Sequence, residues 1–190
     1  MSTLPFIAHS DRLLVIVGAS GAGKDTVLRA WRDRLGAARV HFAQRVITRL
    51  SDPHEGHESA TDERFEQLIA GARLATWWRA NGLGYGIRWR ELDTLAHGGW
   101  VVVNGSRLHL PTLRSQAPAL RAIEITAPTQ VLSHRLAARG REEESAIQHR
   151  LGRQITASTD LTVTNDGPID RAVDAVQRWW TSAEGGRAST

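Results

Sequence analysis

Short apolar runs and stretches of helical periodicity alternate along this chain. Leu13–Val17 is an unbroken apolar run rich in β-branched residues, a pattern typical of a strand buried on both faces of a parallel sheet. After a glycine-rich segment, Val27, Trp31 and Leu35 recur at helical spacing. This alternation predicts an α/β fold in which helices flank a mainly parallel sheet.

The same two patterns recur to the end of the chain. "RVHFAQRVITR" is predicted to be a strand that leads into a loop. Further strands are predicted on both sides of Asn81-Gly82 in "RLATWWRANGLGYGIRW", and in "WVVVNGS", "ALRAIEITA" and "LTVTNDG". Helices are predicted in "DERFEQLIAG", "ELDTLAHGG", "PTQVLSHRLAARGRE", "EEESAIQHRLGRQITAS" and "PIDRAVDAVQRWW". "SDPHEGHESA" is polar with Pro and Gly, which predicts an exposed loop. We expect one domain over residues 1–190, with frayed ends at about residues 1–10 and 183–190.

Composition restricts the possible environments and partners. The chain has no cysteine, which excludes disulfides and thiolate metal sites. A membrane-spanning apolar run and a signal peptide are both missing from the sequence, so we expect a cytoplasmic protein. The net charge is +4 with scattered arginines, which favours a small anionic substrate over nucleic acid or a membrane surface.

The glycine-rich segment between the first strand and the first helix carries the strongest motif. Gly18 to Lys24 is a complete match to G-x-x-x-x-G-K, in which glycines wrap the backbone around phosphates and the helix N-terminus adds N–H groups. An ordinary glycine turn is the alternative, but Lys24 is the only lysine of the chain and occupies the position that reaches the β- and γ-phosphates. The motif predicts a P-loop NTPase-type sheet, a catalytic Lys24, and nucleotide binding by Gly18, Ala19, Ser20, Gly21, Ala22, Gly23, Lys24, Asp25 and Thr26.

Asp25 stands where this loop normally carries the Ser or Thr that helps to hold Mg²⁺. The next buried strand ends in Asn104 rather than in the acid that often completes the metal site. We therefore predict that Asp25 is catalytic and binds the metal, directly or through water. Asn104 is predicted to lie in the substrate-binding site, where its side-chain carbonyl can accept a hydrogen bond from a metal-bound water. A purely helix-stabilising Asp25, a hydroxyl role for Thr26 and a simple turn at Asn104 are the alternatives.

Arginines cluster on two predicted helices near the C-terminus. Their spacing places pairs on common helix faces, and a Gly-Arg break separates the helices. We predict a lid that folds cations over the transferring phosphates, although a solvated face paired with neighbouring glutamates is the alternative. The predicted lid residues are Arg135 for the nucleotide, Arg139 and Arg141 for catalysis, and Arg150 and Arg153 for the substrate.

Three further cations and one tyrosine are candidates for binding an anionic acceptor. Arg45 and Arg49 follow the second predicted strand, and Arg107 follows the strand that ends at Asn104. Arginine forks suit phosphate oxygens, but ordinary surface arginines are equally compatible with this spacing. Tyr85, the only tyrosine, either donates its hydroxyl to a substrate phosphate or packs in the hairpin.

Seven segments in a fixed order resemble the guanylate-kinase-like P-loop kinases, and most closely the ribose 1,5-bisphosphate phosphokinases of phosphonate breakdown. They are "GASGAGKDT", "RVITR", "HES", "WRANGLGYGI", "VVVNGSR", "RLAARGRE" and "NDG". The resemblance implies a P-loop kinase fold with a helical lid and a small substrate-binding insertion. It also implies that ATP, with Mg²⁺, phosphorylates ribose 1,5-bisphosphate to 5-phosphoribosyl 1-diphosphate.

The sequence departs from guanylate kinases proper where those enzymes bind their nucleotide acceptor. The region of "GHESA" has no tyrosine, and Asn104 and Ser106 stand where guanylate kinases have acids after the central strand. A nucleoside monophosphate kinase, a kinase of another phosphosugar and a non-catalytic interaction module remain as alternatives. The intact Gly18 to Lys24 segment argues against the last of these.

Overall fold

The computed structural model describes residues 5–36, 39–50, 56–137 and 157–186. These residues form two compact units, and the boundary between them passes through the first strand. Unit 1 comprises Met1–Val15, Arg39–Asn104 and Pro111–Arg121, and unit 2 comprises Ile16–Ala38, Gly105–Leu110 and Ala122–Thr190.

Nine strands, six α-helices and two short 3-10 helices, Ser10–Arg12 and Trp89–Leu92, are found in the described residues. The strands are β1 Leu13–Val17, β2 Val40–Phe42, β3 Arg45–Ile47, β4 Glu58–Ser59, β5 Leu74–Ala80, β6 Leu83–Arg88, β7 Trp100–Asn104, β8 Arg121–Thr126 and β9 Leu161–Thr164. The helices are α1 Lys24–Leu35, α2 Asp62–Ala70, α3 Asp93–Ala96, α4 Leu110–Gln116, α5 Thr129–Ala137 and α6 Ile169–Gly185.

A five-stranded parallel sheet with the order β2-β7-β1-β8-β9 confirms the predicted fold class. Every residue of β1 and β7 is buried, as their uninterrupted apolar sequences predict for central strands. Because parallel strands end at the same edge of a sheet, the segments that follow β1 and β7 leave it on the same side.

Unit 1 contains a second, four-stranded sheet with the order β4-β3-β6-β5. The predicted turn between β5 and β6 is confirmed: Asn81 and Gly82 have φ angles of 53° and 74°, as a tight hairpin turn requires. Helix α2 covers this sheet with Phe65 and Leu68, which pack against Val46 and Leu74. Gly84 and Gly86 are needed beneath the Phe65 ring, since an added Cβ would come within 2.7 Å and 3.3 Å of it, respectively.

Two predictions for unit 1 are wrong in detail. "RVHFAQRVITR", predicted as a strand leading into a loop, contains two strands: β2 and β3 belong to different sheets, and between them the Gln44 amide donates a hydrogen bond of 2.8 Å to Glu91 Oε2. The described part of the predicted exposed loop contains β4 and a buried His57, since the Ala60 amide donates to Ile47 O and extends the β3–β4 pairing.

Helix α4 was not predicted, and it organises the N-terminal segment of unit 1. Gln116 is buried, accepts a hydrogen bond of 2.9 Å from Thr76 Oγ1 and donates one of 2.9 Å to Ala75 O. Its backbone carbonyl accepts from the Ile7 amide at 2.8 Å. The chain is therefore held at Ile7, which lies within the range that we expected to fray.

Unit 2 holds α1 against α6. Trp31 is completely buried, donates through Nε1 to Gln177 Oε1 at 2.7 Å and meets Trp180 edge-to-face. At the outer end of the contact, Arg34 pairs with Asp170 and Asp174. These contacts fix the helix that follows the glycine-rich loop, and α6 continues to Gly185, past the predicted onset of fraying. In the part of the chain described here, no helix has the length and apolar character needed to cross a membrane.

Candidate active site

The glycine-rich loop of unit 2 adopts a wrapped conformation that only glycine accommodates at key positions. Gly18, Gly21 and Gly23 have φ angles of 147°, 82° and 88°. A Cβ on Gly18 would run into the carbonyl group of Ile125 in β8. The loop turns back on itself through a hydrogen bond of 3.2 Å from the Ala22 amide to Ala19 O. The sequence motif therefore corresponds to a compact loop between β1 and α1.

Lys24, the first residue of α1, lies over this loop. Its Nζ donates hydrogen bonds to Gly18 O at 2.9 Å and to Ala19 O at 3.1 Å. The N-cap residue Gly23 supplies no side-chain hydrogen bond to the first turn of α1. The first N–H groups of the helix therefore have no side-chain cap from this residue, and together with the ammonium group they suit a phosphate.

Arg135 on α5 supplies a second cation beside the loop. Its Nη1 is buried and makes no hydrogen bond to any described residue. A methyl group on Gly23 would lie 3.7 Å from this nitrogen, so the guanidinium group borders the loop. A buried guanidinium N–H without a partner is costly unless a ligand satisfies it, and the negatively charged phosphates of a nucleotide would do so.

Oxygen donors suited to Mg²⁺ lie at the start of α1. Asp25 and Thr26 are exposed in its first turn. No group of three or more acidic or histidine side chains capable of holding a metal occurs within the described ranges. This donor set fits Mg²⁺, which proteins usually hold through one or two carboxylates together with substrate phosphates and water.

Other cations predicted for the site have different surroundings. In unit 2, Arg107 lies 3.4 Å from Glu124, so its charge is already partly matched. Burial lowers the pKa of His109 to about 4, so this side chain is neutral at physiological pH and adds no positive charge. The predicted lid residues Arg139, Arg141, Arg150 and Arg153 lie outside the described residues.

In unit 1, three basic side chains from β3 and its flanking segments lie near one another: Arg45 on β3, Arg49 after it, and His57. His57 is 6% exposed, and its pKa is lowered by burial and by the positive charges of Arg49 and Arg45. The nearby backbone of Arg49 and Leu50 acts in the opposite direction and raises this pKa. We call Arg45, Arg49 and His57 the cationic corner, because both guanidinium groups are close enough to affect the pKa of the histidine. The sequence analysis named the two arginines as candidates for binding an anion, but not His57.

An open groove of 470 Å³ adjoins this corner. Its lining includes Thr48, Arg49, Ser59, Thr61 and Asp62. Sequence reasoning missed His57 because it assigned "GHES" to an exposed loop. The one sequence feature that could have identified it is that a titratable residue lies in "HES", a segment that carries the family resemblance.

The remaining two candidates of unit 1 are packed residues. Tyr85 stacks on Trp78 with ring centroids 5.5 Å apart and an interplanar angle of 6°, which bears out the packing alternative for the ring. Asn104 is buried at the end of β7, with 6% of its surface exposed. A substrate contact by the Tyr85 hydroxyl or by Asn104 stays a prediction.

Comparison with solved structures identifies the fold. A guanylate kinase from Anaplasma phagocytophilum matches with a TM-score of 0.70 at 15% identity, over 90% of this chain and 84% of that chain. A sugar kinase from Janibacter matches with a TM-score of 0.51 at 19% identity, over 90% and 94% of the two chains. The protein therefore has the P-loop kinase fold, and this confirms the predicted architecture.

Curated relatives identify the family. A ribose 1,5-bisphosphate phosphokinase from Azotobacter vinelandii is 45% identical over 150 residues, covering 78% of this chain and 82% of the relative. A relative of the same name from Rhizobium etli is 42% identical over 87% of this chain and 87% of the relative. Another from Pseudofrankia inefficax is 38% identical over 93% of this chain and 94% of the relative. No family model matches the chain. The chain belongs to the ribose 1,5-bisphosphate phosphokinase family, and the resemblance and the assignment as a kinase are confirmed.

Proposed function

We propose that this protein transfers the γ-phosphoryl group of ATP to ribose 1,5-bisphosphate, which yields ADP and 5-phosphoribosyl 1-diphosphate. The observation that carries the proposal is the 45% identity to a relative of that name over most of both chains. Its relatives' names favour this reaction over nucleoside monophosphate phosphorylation and over a non-catalytic module. The proposed setting is phosphonate catabolism in the cytoplasm, with small molecules as the only partners.

Unit 2 would bind ATP. The backbone N–H groups of residues 18–24, the Lys24 ammonium group and the Arg135 guanidinium group would hold the phosphates. Asp25 would hold Mg²⁺ together with phosphate oxygens, and the bound Mg²⁺ would neutralise charge that develops on the β- and γ-phosphates. Lys24 would leave its loop carbonyls and contact the phosphoryl oxygens.

Unit 1 would bind the acceptor through Arg45, Arg49 and His57. An oxygen of the 1-phosphate is already ionised at neutral pH, so the reaction needs no general base. That oxygen forms a bond to the γ-phosphorus while the bond from this phosphorus to the β–γ bridging oxygen breaks, and ADP leaves with the bond's electron pair. The main requirement is compensation of negative charge, which suits a set of arginines, a lysine and Mg²⁺.

We expect ribose 1,5-bisphosphate to be phosphorylated far better than GMP or AMP. Asn104 and Ser106 provide no carboxylate for the donor groups of guanine, and a site that leaves such groups unpaired discriminates against guanine by about 10- to 100-fold for each unpaired donor. The measurement is initial rate with ATP and Mg²⁺ for each acceptor. Product is scored as 5-phosphoribosyl 1-diphosphate through a coupled phosphoribosyltransferase, and as GDP or ADP directly. Preferred turnover of GMP would replace this proposal by the nucleotide-kinase alternative.

We expect Arg49→Leu to raise the KM for the sugar bisphosphate by about 10- to 100-fold, because a charge-assisted hydrogen bond to phosphate is lost. The KM for ATP should stay within about twofold, since the nucleotide is assigned to unit 2. Arg73→Leu is the matched control, because Arg73 is an exposed arginine of the same unit, outside the cationic corner. Equal KM values for the acceptor in both variants would remove Arg49 from the acceptor site.

A further inference from the structure

Asn165 joins the end of β9 to the phosphate loop. It is 4% exposed and lies in the "NDG" segment, 143 residues from its side-chain partner. Its backbone amide donates a hydrogen bond of 2.7 Å to Thr126 O, which places the residue against the carboxyl end of β8. From there its Nδ2 donates a hydrogen bond of 2.8 Å to Ala22 O.

The Ala22 carbonyl has a specific need for this donor. Ala22 is completely buried, so water does not reach this residue, and Asn165 Nδ2 supplies the buried hydrogen bond to its oxygen. A buried carbonyl that loses its hydrogen bond is costly, and the chain relieves that cost by the smallest available rearrangement.

The smallest available rearrangement is a flip of the Ala22–Gly23 peptide. Gly23 has no Cβ and a φ of 88°, so its backbone adopts several orientations at little steric cost. The Asn165 amide also fills the space beside Gly23, since a Cβ there would overlap Nδ2. A flipped peptide would turn the Ala22 carbonyl toward the anion site and withdraw the Gly23 N–H, which exchanges attraction for repulsion at a phosphate.

We propose that Asn165 is a positioning residue that keeps the Ala22–Gly23 peptide in the orientation that binds nucleotide phosphates. The proposal rests on the ATP site assigned to unit 2, and it does not depend on the identity of the acceptor. Asn165 acts through the loop and makes no contact with the reacting atoms.

The test compares Asn165→Ala with Gln177→Ala. Asn165→Ala removes the buried hydrogen bond that the side-chain amide donates to Ala22 O in the loop. Gln177→Ala removes the half-buried hydrogen bond that the side-chain amide accepts from Trp31 Nε1, outside the loop. Calorimetric titration with ADP and Mg²⁺ gives the Kd, and urea unfolding gives the stability of each variant. We expect the Kd for ADP to rise by about 10- to 100-fold in Asn165→Ala and to stay within twofold in Gln177→Ala.

Hydrogen exchange distinguishes a local effect on the loop from a general loss of stability, because it reports the exchange rate of each backbone amide. Exchange at the Gly23 and Lys24 amides should accelerate in Asn165→Ala, whereas the core amides of β1 keep the protection of the wild type. Asn165→Ser, which keeps a short polar side chain at this buried position, serves if the alanine variant does not fold. Unchanged ADP affinity in a folded Asn165 variant would overturn the positioning role of Asn165 and leave the ATP site of unit 2 in place. Failure of the wild type to bind ADP would overturn both.

Discussion

Lys24→Ala is expected to lower kcat by at least about 10²- to 10³-fold while the protein remains folded. The ammonium group would meet negative charge that develops on the transferring phosphoryl group, and one such preorganised donor contributes on this scale. Stability should change by only about 1 kcal/mol. Lys24 is half-buried, and the hydrogen bonds that it gives to Gly18 O and Ala19 O would be replaced by water.

The measurement is single-turnover transfer from ATP, with urea unfolding to verify the fold. Arg29→Ala is the control, because Arg29 is an exposed cation on the same helix and lies outside the loop. It should leave kcat within about twofold. A folded Lys24→Ala variant with normal turnover would remove the assignment of the phosphate loop.

Gly18→Ala is expected to destabilise the protein by roughly 3–5 kcal/mol and to abolish nucleotide binding in whatever fraction folds. Two effects add at this position. The φ of 147° is unfavourable for a residue with a side chain, and the new Cβ would overlap the backbone carbonyl of Ile125 in a buried strand. A backbone group held in a central sheet does not move aside as a flexible side chain would.

Gly36→Ala separates these two effects. Gly36 also has a positive φ, of 57°, but a Cβ there would meet no atom within 4 Å. Urea unfolding should therefore give a loss of about 1–2 kcal/mol for Gly36→Ala, from backbone strain alone. A Gly18→Ala variant no less stable than Gly36→Ala would mean that the loop does not approach β8 as closely as described.

Features that depend on residues near each other in the chain could be predicted from the amino-acid sequence. The apolar run of β1, the Gly18–Lys24 loop and the Asn81-Gly82 turn each encode their conformation in a few consecutive residues, because the hydrophobic pattern and the allowed φ angles are local properties of the sequence. For the same reason the presence of α1 followed from the periodicity of its apolar residues, and the end of α2 followed from the position of Gly71. The kinase assignment also rested on local motifs in a fixed order.

Features that depend on distant partners were decided by the tertiary structure. Between β2 and β3 the Gln44 amide donates to Glu91, 47 residues away, and the two strands join different sheets, whereas the sequence of that segment predicts one strand that leads into a loop. His57 lies in a segment with the composition of an exposed loop, yet pairing of β4 with β3 buries it beside Arg49.

The hydrogen bond from Asn165 to the phosphate loop is another feature that depends on residues far apart in the sequence. No periodicity links Ala22 to a residue 143 positions later, and only the return of β9 alongside β8 brings the amide to the carbonyl. The sequence alone determined that a phosphate loop is present and where it begins and ends. The folded chain decided which side chains hold that loop and which cations converge elsewhere, because hydrogen bonds and desolvation depend on neighbours in space and leave no periodic trace in the chain.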